Sequence, residues 1–139
     1  MAVKNGKIVI SRSGRILPIG QSTELYCYTL DGEEEPTFRR SLSVAGHTLV
    51  LDHLAFDSEG RLVLAGNRYS AIDASGMQVV RLLSNGELDG GFGQDGYSPV
   101  NGDQAAGNGL YLDDVSIRVL TLKPVNLGPY YEYMVRLKS

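Results

Sequence analysis

Short apolar runs, each bounded by glycine, asparagine, aspartate or serine, make up most of this chain. Almost no segment of about eleven residues carries apolar positions at helical spacing without a glycine inside it, so helices are not indicated. Runs of this length and composition are typical of β-strands. The predicted strands are Lys7–Ile10, Arg15–Ile19, Leu25–Leu30, His47–Phe56, Arg61–Ala65, Met77–Leu83, Leu110–Ile117, Val119–Lys123 and Tyr131–Leu137. The pattern therefore predicts an all-β protein of about nine or ten short antiparallel strands.

Motifs in the first part of the chain recur in its middle part. Ser13–Gly20 lies over Glu59–Gly66 at an offset of 46 residues. Leu30-Asp31-Gly32 and Phe38 lie over Ser84-Asn85-Gly86 and Phe92 at an offset of 54. Motifs that recur in the same order indicate repeated structural units.

A third, more degenerate copy follows. Leu49–Phe56 matches Leu110–Ile117 at an offset of 61, and the copy continues as if the hairpin turn Asp57–Gly60 had been deleted. The sequence thus predicts a single domain, 1–139, made of three units at residues 4–40, 47–96 and 107–139.

Each unit has the features of a small antiparallel sheet. Gly60 supplies the positive φ that a tight hairpin requires, and Asn85-Gly86 is a strong hairpin signal. Arg61–Ala65 shows little alternation, which indicates a strand covered on both faces. We therefore expect the units to stack, with Phe38 and Phe92 filling the gaps between neighbouring sheets.

The second unit resembles the bacterial delta-60 repeat. Leu54–Gly66 is similar to that family's DGKILVAG hairpin, and Val79–Gly93 is similar to its VRLNSDGSLDTSFG segment, so the resemblance is clearest over residues 54–93. It implies propeller-like blades and supplies no catalytic residues. The first unit departs from the pattern at Pro18 and lacks the Leu-Asp step before Phe38. The third lacks the turn-and-phenylalanine segment.

Three blade-like units are too few for a closed propeller, which needs about four to eight. One expectation is a compact sandwich or open barrel. The other is that copies of the chain associate through edge strands. Apart from Pro18, Pro36 and Pro124, the sequence has few residues that would prevent such pairing. A homo-oligomer or a subunit of a larger assembly is the favoured prediction.

Composition narrows the function classes. The chain has 139 residues, 42% hydrophobic and 21% charged, with a net charge of −3 that argues against nucleic acid or an anionic membrane as partner. Its 17 glycines fit many tight turns. No apolar run is long enough to span a membrane and no signal peptide is recognised, so a cytoplasmic location or a place in a particle is expected.

Candidate chemistry is sparse. His47 and His53 share a strand parity but lack a third metal ligand, and Cys27 lies in an apolar strand typical of a buried, inert thiol. Asp113 and Asp114 are expected on opposite faces of one strand, which argues against a carboxylate dyad. The glycine-rich stretch with Asp89, Asp95 and Asp103 suits turns better than calcium, since its spacing matches no known calcium loop. No enzyme activity, cofactor or metal is predicted.

Two groups of residues are candidate contacts with a partner. Tyr111, Tyr131 and Tyr133 make the C-terminal half rich in tyrosine, which recognition surfaces favour. Glu33, Glu34 and Glu35 form an acidic cluster that suits a basic partner. The predicted function is a non-catalytic protein-binding or assembly module, for example a structural or adaptor subunit of a bacterial or phage particle. The alternatives are a small acidic inhibitor or immunity-type protein and a carbohydrate- or calcium-binding loop module.

Overall fold

The computed structural model describes residues 1–13, 21–38, 40–70, 76–99, 106–114, 116–123 and 131–138. Within these ranges the chain forms ten β-strands and a single 3₁₀ turn, Pro36–Phe38. The strands are β1 (Ala2–Lys4), β2 (Lys7–Ser13), β3 (Thr23–Thr29), β4 (Arg40–Leu42), β5 (His47–Phe56), β6 (Leu62–Ser70), β7 (Gly76–Leu82), β8 (Ala106–Leu112), β9 (Ser116–Lys123) and β10 (Tyr131–Lys138). The all-β prediction is confirmed. The predicted strand Arg15–Ile19 lies outside the described residues.

The strands form three antiparallel sheets, each built from consecutive strands. The first sheet has the order β1-β2-β3-β4, the middle sheet β5-β6-β7 and the third sheet β8-β9-β10. Tight turns make this order possible: Asn5 and Gly6 both adopt positive φ between β1 and β2, as a two-residue hairpin requires. None of the three sheets closes into a barrel in the part of the chain that the structure describes.

The middle sheet lies between the other two and is buried on both faces. Its contact with the first sheet is a cluster that includes Val9, Leu25, Leu62, Leu64 and Leu82. Its contact with the third sheet is a second cluster, which includes Val63, Ala65, Val79, Ile117 and Val119. Residues 62–65 have no exposed surface. The prediction that this strand is covered on both faces by stacked neighbours is therefore confirmed.

The first and middle sheets repeat the same hairpin at an offset of 54 residues. Val9 pairs with Cys27 between β2 and β3, and Val63 pairs with Arg81 between β6 and β7. The predicted offset of 46 for this hairpin is wrong. A glycine, a basic residue and an apolar run follow one another twice within the first 20 residues. The offset of 46 starts from the second of these motifs, whereas the β2–β3 ladder begins after the first.

The turns that follow these hairpins are also equivalent. In the Gly32 turn (residues 29–33), the N–H of residue 29 donates to the carbonyl of residue 33 at 2.8 Å, and that of residue 32 donates to residue 29 at 3.0 Å. In the Gly86 turn (residues 83–87) the corresponding distances are 2.7 and 2.9 Å. Both glycines have positive φ, 86° and 90°. The offset of 54 predicted for these turns is confirmed.

Phe38 and Phe92 follow the two turns and fill the gaps between sheets, as predicted. Phe38 belongs to the cluster that joins the first and middle sheets, which we call the first junction. Phe92 belongs to the cluster that joins the middle and third sheets, the second junction. Each phenylalanine donates its backbone N–H to the carbonyl of the acidic residue three positions earlier, Glu35 or Asp89.

The third unit corrects three predictions. Leu110–Ile117 is not one strand, because the chain turns between Leu112 and Ser116 and β9 then runs through the predicted break at Arg118. The hairpin turn is therefore retained in a shorter form. An aspartate closes it: Asp113 Oδ1 accepts the Ser116 N–H at 2.7 Å and Asp113 Oδ2 pairs with Arg118 at 2.8 Å. Asp113 and Asp114 lie in this turn, not on a strand.

The first strands of the middle and third sheets each contain a bulge. The register shifts between Leu51 and His53 in β5 and between Gly107 and Gly109 in β8. The residue before each bulge donates its backbone N–H to a side chain of the preceding sheet. Leu51 donates to the Thr23 hydroxyl at 3.2 Å, and Gly107 donates to the Asn67 amide oxygen at 2.7 Å. Both junctions thus have a polar contact at the bulge as well as apolar packing, although the acceptor lies on β3 in the first junction and on β6 in the second.

Candidate functional site

The first sheet has an apolar face that no other sheet covers among the described residues. The β1-β2-β3 ladder places Val3, Ile8 and Tyr28 in one cross-strand row and Ile10 beside Tyr26 in the next. We call these five residues the outer face. Val3 is 56% and Ile10 40% exposed, while the other three are half-buried. A contiguous exposed patch of this kind indicates a contact surface.

The middle sheet shows what these positions normally do. The residues 54 positions after Ile8, Ile10, Tyr26 and Tyr28 are Leu62, Leu64, Val80 and Leu82. All four of those later residues have no exposed surface, because the first sheet packs on them. The outer face therefore occupies the register positions of a sheet-packing surface.

The edge of the outer face is polar. Arg12 pairs with Glu24 in the ladder, and Glu24 is followed by Ser41 on β4. The Glu24 carboxylate accepts hydrogen bonds from the hydroxyls of Ser22 and Ser41, each at 2.8 Å. An apolar centre with tyrosines and a charged rim is the usual composition of a protein–protein interface.

The predicted acidic cluster is divided in the structure. Glu33 and Glu34 are exposed at the end of the Gly32 turn. Glu35 instead forms an ion pair with Lys7 at 3.1 Å and accepts a hydrogen bond from the Cys27 thiol at 3.9 Å. The charge of Glu35 is therefore compensated within the chain, and two carboxylates remain for a basic partner.

The three predicted contact tyrosines lie on the third sheet. Tyr111 is 56% exposed and pairs with Arg118 in the β8–β9 ladder. Tyr131 and Tyr133 pair with Lys123 and Thr121 in the β9–β10 ladder. Thr121 and Arg118 are an odd number of residues apart on β9, so the register positions of Tyr111 and Tyr133 belong to opposite faces of the sheet. The structure does not describe the side chains of Tyr131 and Tyr133.

The structure separates the two candidate metal-binding histidines and gives one candidate calcium ligand, Asp89, a structural role. The bulge at Asp52 cancels the shared parity of His47 and His53, so the prediction that both histidines lie on one face is wrong. Asp89 is buried; its Oδ2 accepts from Arg81 Nε at 2.6 Å and its Oδ1 accepts from the Gly91 N–H at 3.0 Å. Asp103 lies outside the described residues. Across the described ranges, no three His, Cys, Asp or Glu side chains form a group able to hold a metal ion.

Cys27 has no exposed surface. Burial, and after it the nearby Glu35 carboxylate, raises the pKa of its thiol above the ordinary 9.0. A protonated, enclosed thiol is a poor nucleophile. Cys27 therefore acts as a small apolar residue of the first junction.

Sequence reasoning missed the outer face, and one signal could have found it. Aligning Gly6, not Gly14, with Gly60 places Ile8 and Ile10 over the apolar strand after Gly60. The alternation of β2, where Val9 is buried between two less buried isoleucines, then assigns the isoleucines to the opposite face of the first sheet.

Comparisons with known proteins assign no family. No protein-family model, no curated protein and no solved structure matches this chain. Among the residues that the structure describes, no helix is long and apolar enough to cross a membrane.

Proposed function

We propose that this protein is a non-catalytic assembly module that binds a second copy of itself through the outer face. The observation that carries the proposal is the exposure of Val3 and Ile10 on an apolar and aromatic face. Covering such a face removes apolar surface from water, which is the main driving force of protein association. Tyrosines add rigid contact area at little entropic cost.

The internal junctions support a head-to-tail arrangement. In the middle sheet, the positions equivalent to the outer face pack against the preceding sheet's opposite face. By the same stacking order, the outer face of one copy would pack against the third sheet of another copy. The contact there would be the face turned away from the middle sheet, where Tyr111 and Arg118 are exposed. A guanidinium placed over a tyrosine ring is a favourable cation–π contact. A contact between two different faces closes into a ring or continues as a filament.

Light scattering at several protein concentrations tests the proposal. We expect a mass of at least two chains, each of 15.1 kDa, and we expect Ile10→Lys to return the protein to one chain. Leu30→Lys is the matched control, because Leu30 is 66% exposed but lies in the Gly32 turn. A monomer at every concentration would contradict the proposal.

Mixing two variants tests the head-to-tail geometry. Ile10→Lys damages the outer face, and Arg118→Glu damages the third-sheet face. Each variant alone is expected to be monomeric, whereas their mixture is expected to contain a dimer, since one intact face of each kind remains. An arrangement in which two outer faces meet predicts instead that Arg118→Glu forms a dimer by itself, because its outer face is intact.

The acidic-inhibitor alternative has one observation in its favour, the exposure of Glu33 and Glu34. Reversing both charges to lysine should abolish binding to a basic partner and leave self-association unchanged. The loop-binding alternative has less support, since Asp89 is already neutralised by Arg81.

A further inference from the structure

The first junction shows how the fold covers a phenylalanine ring. A Cβ atom on Gly86 would lie 3.0 to 3.2 Å from the atoms of the Phe38 ring, so the turn backbone sits directly on that ring. Arg40 Nε donates to the Gly86 carbonyl oxygen at 3.0 Å. The Gly86 turn therefore covers the Phe38 ring, and the hydrogen bond from Arg40 holds the turn in place.

Within the described ranges, the second junction leaves the corresponding position open. A cleft of about 340 Å³ lies beside Phe92 and is lined by Arg81, Gly91, Gly93, Ser98, Pro99 and Leu137. Arg81 is only 5% exposed, and its guanidinium lies 4.6 Å from the centre of the Phe92 ring. Its Nε is bound to Asp89, but its Nη1 is buried without a hydrogen-bond partner among the residues that the structure describes. A buried donor without an acceptor is costly, so an acceptor at this point is stabilising.

We propose that this cleft binds the backbone of a glycine-containing β-turn from a partner protein. The turn carbonyl accepts from Arg81 Nη1, as the Gly86 carbonyl accepts from Arg40. The glycine permits the same close approach beside Phe92 that Gly86 makes to Phe38, with the positive φ that such a turn requires.

The charges in the cleft favour a neutral acceptor over an anion. Asp89 already neutralises Arg81 at 2.6 Å. A second carboxylate would be buried beside the first, and like charges in a desolvated site repel. A peptide carbonyl adds no charge, and Phe92, Pro99 and Leu137 offer apolar contacts around it.

A peptide made from the chain's own turn is the probe. We would titrate a cyclised peptide of the Leu83–Leu88 sequence into the ¹⁵N-labelled full chain and follow the Arg81 side-chain Nε–H signal with the amides of Gly91 and Gly93. These signals are expected to shift together. The same peptide with valine in place of its glycine should bind about tenfold more weakly or worse, the loss expected for one hydrogen bond and its packing. Equal binding of both peptides, or no shift at about 1 mM, overturns the proposal.

A matched pair of variants identifies the donor. Arg81→Lys keeps the charge beside Asp89 but removes Nη1, and should weaken binding of the glycine peptide about tenfold. Arg61→Lys alters an Nε–Oδ2 pair of the same 2.6 Å length with Asp57, which does not line the cleft, and should leave affinity within about twofold. Equal effects of the two variants overturn the role of Arg81. The peptide comparison uses the unaltered chain, so it decides the matter even when a variant does not fold.

This site is independent of the proposed self-association. The cleft lies at the second junction, and the outer face belongs to the first sheet. Ile10→Lys is therefore expected to leave peptide binding unchanged. Failure of the peptide experiment would not alter the light-scattering result.

Discussion

The two junctions are built on one backbone plan but carry different charges. At the first junction, the Glu35 carboxylate is neutralised by Lys7 from β2 at 3.1 Å. At the second junction, the equivalent Asp89 is neutralised by Arg81 from β7 at 2.6 Å. Arg81 stands where the first sheet has Cys27, 54 residues earlier. Each of the two equivalent carboxylates is thus neutralised by a basic residue. That residue lies on β2 at the first junction and on β7 at the second, and these two strands are not equivalent.

Comparing the two junctions distinguishes the backbone features that both retain from the side-chain contacts that differ between them. Both junctions keep the glycine turn, the phenylalanine and the ladder register. Only the first has a turn placed on its phenylalanine ring and an arginine bound to that turn among the described residues. The repeated backbone therefore carries the fold, and the side chains at equivalent positions differentiate the junctions.

Removing the two phenylalanine rings should give the largest effect. Phe38→Ala is expected to lower the free energy of unfolding by about 4 kcal/mol, since it leaves a cavity in a sealed junction. Phe92→Ala should cost about 2 to 3 kcal/mol, because its ring already borders an open cleft. Urea denaturation of both variants measures the difference. Equal losses would mean that the second junction is as well packed as the first.

Adding one methyl group to each turn glycine isolates the contact with Phe38. Gly86→Ala meets both a positive φ and the Phe38 ring, and should cost about 2 to 3 kcal/mol. Gly32→Ala meets the same positive φ with nothing within 4 Å, and should cost about 1 kcal/mol. The shift of the denaturation midpoint gives the loss of unfolding free energy for each variant, provided that the denaturant dependence is the same as in the unaltered chain. A Gly32 loss as large as that of Gly86 would assign the whole effect to backbone strain.

Removing the arginine donor of the first junction should have a smaller effect. Arg40→Met keeps the aliphatic stem but leaves the Gly86 carbonyl without this donor, at a cost of about 1 kcal/mol. Thermal unfolding with Arg12→Met as the surface control measures it. A loss no larger than that of the control would show that the turn is held by packing on Phe38 alone.

The smallest expected effect depends on pH and concerns the Cys27 position. Because the pKa of the buried thiol is raised above 9.0, the folded chain holds this proton more tightly than the unfolded chain does. The resulting stabilisation is complete below pH 9.0 and is lost as the pH rises above it. The melting temperature of the unaltered chain should fall as the pH rises above 9.0. The melting temperature of the Cys27→Ala variant should fall less steeply over the same pH range. Parallel curves would contradict this assignment.

Much of the fold followed from local patterns. β5 matches its predicted bounds, because ten strand-forming residues stand between clear turn signals. β1 and β4 were missed, since three residues give no measurable alternation. The turn at Asp113 was missed because an aspartate side chain closes it without a glycine. Composition does not distinguish such a turn from a strand interior.

The candidate site followed from the sequence only in part. Tyr111 is exposed, and its contact with a partner stays a prediction. The ion pair of Glu35 with Lys7 could not be predicted without the β2–β3 register. Identifying the outer face from the sequence requires the offset of 54. The second glycine-basic motif, at Gly14, favours a different offset for this region. The unpartnered Arg81 nitrogen depends on the packing of the second junction, which no linear pattern encodes.

The centre of the middle sheet, residues 62–65, is covered on both faces, and this limits how the chain reaches its folded state. Detaching the first sheet would expose an almost unbroken leucine and valine surface on β6 and β7, which is a strong signal for aggregation. The backbone amides of these strands should consequently exchange with deuterium only in global opening events. Although the units repeat in sequence, we therefore expect the chain to unfold in one cooperative transition.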